Sequence, residues 1–137
     1  MTTFTFEIVT PDKMLFSTDK ATYVGFTAPS GSMGLEAKHL PITASLSIAP
    51  VKINLEDGTV KYFSVAGGFL EMNGTKCTVL ATVAEDGKDI DAARAEAAKK
   101  RAEERLASKS AEIDMNRATI ALQKALTRLK TKAKVSG

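Results

Sequence analysis

The chain of 137 residues has no tryptophan, one cysteine, one histidine and four prolines. A single thiol, Cys77, forms no internal disulfide, and it falls in a strand-like stretch where it reads as a small core residue. The lone His39 has no second His or Cys at ligand spacing, which argues against a zinc or haem site. As a catalytic base it would also need a nucleophile and an orienting acid, and the sequence marks neither. No apolar run approaches the roughly 18 residues of a membrane span. The opening Met1-Thr2-Thr3-Phe4 has no basic stretch followed by an apolar one, so no secretory signal is expected and a cytosolic setting fits. The glycine-rich Walker pattern for phosphate is missing throughout. Nothing here reads as an enzyme.

One further absence divides the chain. Residues 1–86 contain no arginine, six lysines and nine acidic groups, whereas 87–137 contain all five arginines, eight lysines and seven acidic groups. A segment of net charge −3 is thus joined near Gly87 to one of +6. The sequence pI near 9 comes from the second segment. A basic pI alone is weak evidence for nucleic-acid binding, and the basic helix proposed below carries no aromatic residue on which a base could stack.

The hydrophobic period changes at the same place. Phe4, Phe6 and Ile8 alternate with polar residues, which predicts a strand with one buried face. Further extended runs cover Ala21–Thr27 and Val51–Leu55. Asp57-Gly58 and Asn73-Gly74 are hairpin signals that should pair Val51–Leu55 with Val60–Val65 and Phe69–Met72 with Lys76–Val83. Gly67-Gly68 reads as a bulge or close strand contact. Residues 1–86 are therefore expected to form an all-β sandwich or flattened barrel.

Beyond Gly87, Ala92–Ala107 has no Gly, Pro or β-branched residue, and Asp89 and Asp91 precede it, which predicts a helix. After a break at Ser108-Lys109-Ser110, a second helix begins near Asp114, with Ala118, Ala121, Leu122, Ala125 and Leu129 in one stripe. The stripe of the first helix, Ala95, Ala98, Ala102 and Leu106, is mostly alanine. Residues 87–137 thus read as an antiparallel two-helix hairpin that buries little apolar area, so it should dock and could undock. The fold class expected is α+β. From Met115 onward there are six basic residues and no acidic one. An acidic partner surface and a merely solvated basic face both account for that charge.

At this level of detail the chain resembles the ε subunit of bacterial F-type ATP synthases. The resemblance rests on Val9-Thr10-Pro11-Asp12, on Gly31-Ser32-Met33-Gly34-Leu35 followed by His39-Leu40-Pro41-Ile42, and on Ala66-Gly67-Gly68-Phe69-Leu70-Glu71. In the second half it rests on Asp89-Ile90-Asp91-Ala92-Ala93-Arg94-Ala95 and Arg101-Ala102-Glu103-Glu104-Arg105-Leu106. It covers essentially the whole chain. It implies a noncatalytic, peripheral subunit at the cytoplasmic face of the bacterial membrane, in the central stalk of a proton- or sodium-translocating synthase. It also implies a sandwich bound to the γ subunit and the rotor c-ring. The hairpin is implied to move between a compact state and an extended one that meets the catalytic α and β subunits and blocks ATP hydrolysis. On that basis Lys124, Arg128, Lys130, Lys132 and Lys134 are candidates for contact with an acidic segment of the β subunit.

Some relatives bind ATP as a regulatory ligand through an Ile/Leu-Asp-x-x-Arg-Ala motif, which here reads Ile90-Asp91-Ala92-Ala93-Arg94-Ala95. The resemblance carries Glu85, Ile90, Asp91, Arg94, Arg101 and Arg128 across as ATP-binding candidates. Lys124 joins them where such relatives have arginine, so the charge is kept but a bidentate fork is lost. Asp91 capping the helix and Arg94 pairing with an acid would explain the same residues without a ligand. The rotor-facing loop departs further from the family: Ser32 replaces a frequent Glu, and Ala37-Lys38-His39 a frequent Pro-Gly-His. Glu36, Lys38 and His39 stand as interface candidates, with loop packing as the other reading. A free-standing nucleotide-sensing module is the alternative function.

Overall fold

The computed structural model describes residues 2–38, 41–108 and 114–136. Seven strands come first: β1 (Phe4–Val9), β2 (Met14–Ala28), β3 (Gly31–Glu36), β4 (Ile42–Leu55), β5 (Val60–Met72), β6 (Lys76–Ala81) and β7 (Ala84–Asp86). A short 3-10 turn, Gly87–Asp89, leads to helices α1 (Ala92–Ser108) and α2 (Met115–Ser136).

Alternation in β1 buries Phe4, Phe6 and Ile8 and leaves the residues between them half-buried. This strand pairs antiparallel with β2 and parallel with β6. Because the remaining pairs run β6–β5–β4–β2, the sheet returns to β1 and closes as a flattened barrel, with β3 added to β2 and β7 to β5. Closure leaves few exposed edges. Phe6, Phe63, Ile8, Leu35, Ile53 and Leu70 are among the largest fully buried side chains. Phe16 stacks obliquely between Phe6 and Phe63, with centroids 6.3 and 5.1 Å away.

Both hairpin signals act as expected. Asn54 pairs with Val60 and Met72 with Cys77 across turns in which Gly58 and Gly74 have positive φ. Asp57 Oδ1 accepts from Thr59 N at 2.9 Å, and Asn73 Oδ1 accepts from Lys76 N at 2.8 Å. Several extents differ from the sequence reading: β2 begins at Met14 rather than Ala21, β6 ends at Ala81 rather than Val83, and Gly31–Glu36 is strand β3 rather than a loop. Strand β4 begins at Ile42 rather than Val51, running through Pro50. Pro50 is tolerated because β4 meets β2 only from Lys52 to Leu55, so at Pro50 it needs only β5 beside it. Strand β5 is continuous through Gly67-Gly68. Gly68 has φ +130, and a Cβ there would lie 2.2 Å from the Leu80 carbonyl oxygen, so the close strand contact inferred from the glycine pair is real.

Helix α1 is capped by Asp91, whose Oδ1 accepts from Arg94 N at 3.1 Å. Asp114 caps α2 in the same way, accepting from Asn116 N and Arg117 N at 3.0 and 3.2 Å. The helices meet through buried Ala95 and Ala102 of α1 and Ala118 and Ala125 of α2. Helix α2 lies between α1 and the barrel, against β4, β5 and the 3-10 turn. It therefore has a second buried face that the alanine stripe did not reveal, made by Thr127 and Thr131.

Candidate functional site

The seat of α2 on the barrel is the junction where most of the candidate residues meet, and its chemistry is polar. Thr127 Oγ1 donates to the Ile48 carbonyl at 3.3 Å, and Thr131, fully buried, returns its hydroxyl to the Thr127 carbonyl at 2.7 Å. Lys132 Nζ donates to the Lys88 carbonyl at 2.9 Å. Arg128 forks onto Glu85, with Nε on Oε1 and Nη2 on Oε2. Below the last turn of α2, Gly87 fits so closely that an added Cβ would lie 2.7 Å from both the Tyr62 carbonyl oxygen and Val135 Cγ2. The barrel side of this junction is fixed by an ion pair: Lys61 Nζ meets Asp86 Oδ2 at 2.9 Å and lies 5.1 and 5.5 Å from the Phe16 and Phe63 rings. Asp86 also accepts from Lys88 N, so one carboxylate holds both the strand end and the turn.

On one flank of α2, a recess of about 280 Å³ is lined by Ser64, Ala66, Val83 and Ala84 together with Glu85, Lys124 and Arg128. These last three are the nucleotide candidates that the structure brings together. The others lie apart from the recess lining. Ile90 is 2 % exposed at the start of α1, Asp91 serves as the cap, and Arg94 and Arg101 are exposed along α1. The helix-capping explanation of Asp91 therefore has its hydrogen bond, and Arg94 forms no ion pair among the described residues. In this arrangement Glu85 neutralises Arg128, so a polyphosphate entering the recess would have to take that guanidinium from the carboxylate.

The basic candidates for partner contact divide by occupation. Arg128 and Lys132 are spent on Glu85 and the Lys88 carbonyl, and Lys134 lies 5.6 Å over the Tyr62 ring. Lys124 and Lys130 are exposed. At the end of β3, Glu36 is the last strand residue and Lys38 adopts φ 66, while His39 lies outside the described residues. Among the described residues no group of acidic, His and Cys side chains could hold a metal, and no helix is long and apolar enough to cross a membrane.

The barrel also presents an apolar stripe that was missed in the sequence. Register places Met14 beside Val9, Val9 beside Leu80 and Leu80 beside Phe69. Met14, Leu80 and Phe69 are 53, 53 and 57 % exposed. Because paired residues point to the same side, these four form one row across three neighbouring strands and β2. Phe69 and Leu80 occupy the phase of their strands that should be polar, and that violation was the available signal.

Two family models divide the chain where its charge and period change. Residues 3–87 match the β-sandwich domain of the ATP synthase delta/epsilon chain, and residues 88–133 its long α-helix domain. The chain belongs to the ATP synthase epsilon-chain family. Among its relatives, the ATP synthase epsilon chain of Bacillus cytotoxicus is 43 % identical over 129 residues, covering 94 % of this chain and 96 % of the relative. That of Desulforamulus reducens is 40 % identical over 124 residues, with 90 and 92 % covered. The fold is shared with a chain of the Euglena gracilis mitochondrial ATP synthase, at TM-score 0.81 and 16 % identity, covering 98 % of this chain and 81 % of that one. A chain in the central stalk and c-ring of the Tetrahymena thermophila enzyme aligns with TM-score 0.61 at 14 % identity, covering 99 and 98 %.

Proposed function

We propose that this chain is the noncatalytic epsilon subunit of an F-type ATP synthase central stalk, with residues 1–86 as its anchor and residues 87–137 as a movable brake on ATP hydrolysis. The observation that carries the reading is the polar seat of α2. Its hydrogen bonds and ion pair can be exchanged for water or for another acceptor at small cost, whereas a seat made of large apolar side chains could not. Leaving the seat would release Arg128 and Lys132 and complete a one-signed face with Lys124, Lys130 and Lys134. Such a face suits an acidic surface of a catalytic subunit. The Met14–Val9–Leu80–Phe69 stripe supplies what an anchor needs, an apolar surface that stays in place whatever the hairpin does, and it suits the γ subunit beside the rotor ring. A free-standing nucleotide sensor would have no use for that stripe.

ATP is proposed as a regulatory ligand of the compact hairpin. Glu85, Lys124 and Arg128 already line one recess, and Arg94 and Arg101 on α1 would have to swing toward it. A ligand bound there would favour the compact state by binding it more tightly than the extended one. Removing everything after Asp86 and measuring hydrolysis by the assembled enzyme tests the brake. Assembly is expected to survive and hydrolysis to rise, and unchanged hydrolysis would refute inhibition. The ligand is tested separately by titrating the isolated chain with ATP, with and without Arg94→Ala. No heat or chemical-shift change would remove ATP and leave the subunit assignment standing.

A further inference from the structure

The opposite flank of α2 holds a second concavity, and its chemistry differs from that of the recess at Glu85. It is a groove of about 540 Å³ between the last turns of α2 and the outer face of β2, β3 and β4, a size within the range of small-molecule sites. Lys52 enters it from β4, and Lys130 and Lys134 enter it from α2. Among the described residues no acidic one lines it. Lys52 and Lys130 form no ion pair among the described residues, and Lys134 has only the face of Tyr62 as a partner, 5.6 Å from the ring centre.

Lys130 and Lys134 stand one turn apart, a spacing at which like charges repel. Docking α2 brings them up to a third ammonium with no counter-charge. The floor of the groove is aromatic. The Tyr23 ring lies flat across Gly25 and Gly34, where added Cβ atoms would be 3.0 and 2.4 Å from its hydroxyl oxygen. Only residues without side chains at 25 and 34 let that ring lie down and keep the groove open. A groove lined by three lysines, with a phenol hydroxyl at its floor and no acidic residue among the described lining residues, favours a ligand with clustered negative charge over an acidic side chain or a neutral one.

We infer that this groove is a second anion site, separate from the recess at Glu85, which takes a small polyphosphate only while α2 is docked. The lysines come from both sides of the hinge, so the site is assembled in the compact state and dismantled when the hairpin leaves. An anion held there would offset the repulsion between Lys52, Lys130 and Lys134 and shift the population toward the docked hairpin. The inference does not depend on whether ATP occupies the other flank.

The chemistry is shared by free inorganic pyrophosphate and by the phosphate tail of a nucleotide, and the test separates them. The full chain is titrated with pyrophosphate, with ATP and with adenosine while backbone amide shifts are followed. Saturable shifts at Tyr23, Lys52, Tyr62 and Lys130 are expected with pyrophosphate and none with adenosine. Shifts at these four with ATP as well would assign the site to the phosphate tail, and shifts with pyrophosphate alone to the free anion. Lys52→Ala, an outward-facing change on the barrel, should weaken pyrophosphate about tenfold, and Arg94→Ala should leave it unchanged. Three results would overturn the inference: no saturation, shifts confined to Glu85 and Arg128, or equal affinity in wild type and Lys52→Ala. Lys130→Ala gives an independent reading, because a drop in affinity like that of Lys52→Ala requires both sides of the hinge to contribute.

Discussion

Phe63 in the barrel and Thr131 in the hairpin are both completely buried, yet they are buried against different things. Phe63 lies 5.1 Å from Phe16 within a continuous apolar core shared by β1 to β6. Thr131 is buried with its methyl close to Gly87 and gives its hydroxyl to its own helix. Burial in the barrel displaces water from large apolar surfaces, which nothing outside the core can replace. Burial under α2 covers groups that water would satisfy almost as well. The same degree of burial therefore costs more to undo in the barrel than under α2. The two are linked by the close fit at Gly87, by the Arg128–Glu85 pair, and by the Thr127 and Lys132 hydrogen bonds to the Ile48 and Lys88 carbonyls.

Several changes would break this contrast or sharpen it. The largest effect is expected in the barrel: Phe63→Ala should cost about 3–5 kcal/mol in denaturant unfolding, since the cavity adjoins Phe16 and cannot collapse easily. A loss below about 1 kcal/mol would show that the barrel core is far more compliant than its packing implies. Next comes Gly87→Ala, whose Cβ meets backbone on one side and Val135 on the other. It should weaken docking by about 1–3 kcal/mol and leave the core intact. Amide exchange should then speed up roughly tenfold or more in α2 but not in β5, and equal acceleration in both would mean that the regions open together. Glu85→Gln should have a smaller effect, about 0.5–1 kcal/mol on docking, because the Arg128 pair is about one-third exposed at both ends. Added salt should reduce the difference between wild type and variant, and a salt-independent difference would point to lost packing instead.

The same contrast explains what could be read in the sequence. Strand period, turn dipeptides and helix caps are local, and Phe4 to Ile8, Asp57-Gly58, Asn73-Gly74 and Asp91 announced their roles correctly. The extent of β4 was not legible because Pro50 is acceptable only where β2 is missing beside it, a fact of sheet topology. The seat of α2 escaped because threonines at 127 and 131 look like ordinary polar helix residues until the Ile48 carbonyl is placed opposite the first and Gly87 against the second. At the candidate nucleotide site, the proximity of Glu85 to Arg128 is a contact between a strand end and a helix 43 positions away. The resemblance singled out both residues, but nothing in their spacing could place them together. The apolar stripe was divided among β1, β2, β5 and β6, one residue from each, so no single segment displayed it.

Cys77 offers the test in which changes at the hairpin should have no effect, and for that reason a discriminating one. It is fully buried in β6, and burial pushes its thiol from the ordinary 9.0 up to about 12. Near neutral pH the folded chain holds it as an unreactive thiol, so alkylation reports opening of the barrel rather than fluctuation of its surface. A thiol pKa raised by folding favours the folded state fully below the unfolded value, and this contribution is lost as pH rises from about 9 toward 12. Barrel stability should therefore decline across that alkaline window, and Cys77→Ala should lessen the decline. Near neutral pH, Gly87→Ala and Glu85→Gln should leave the rate of Cys77 alkylation unchanged even as they speed exchange in α2. If alkylation accelerates with hairpin release, the barrel depends on the hairpin, and it could not serve as a fixed anchor while the helices move.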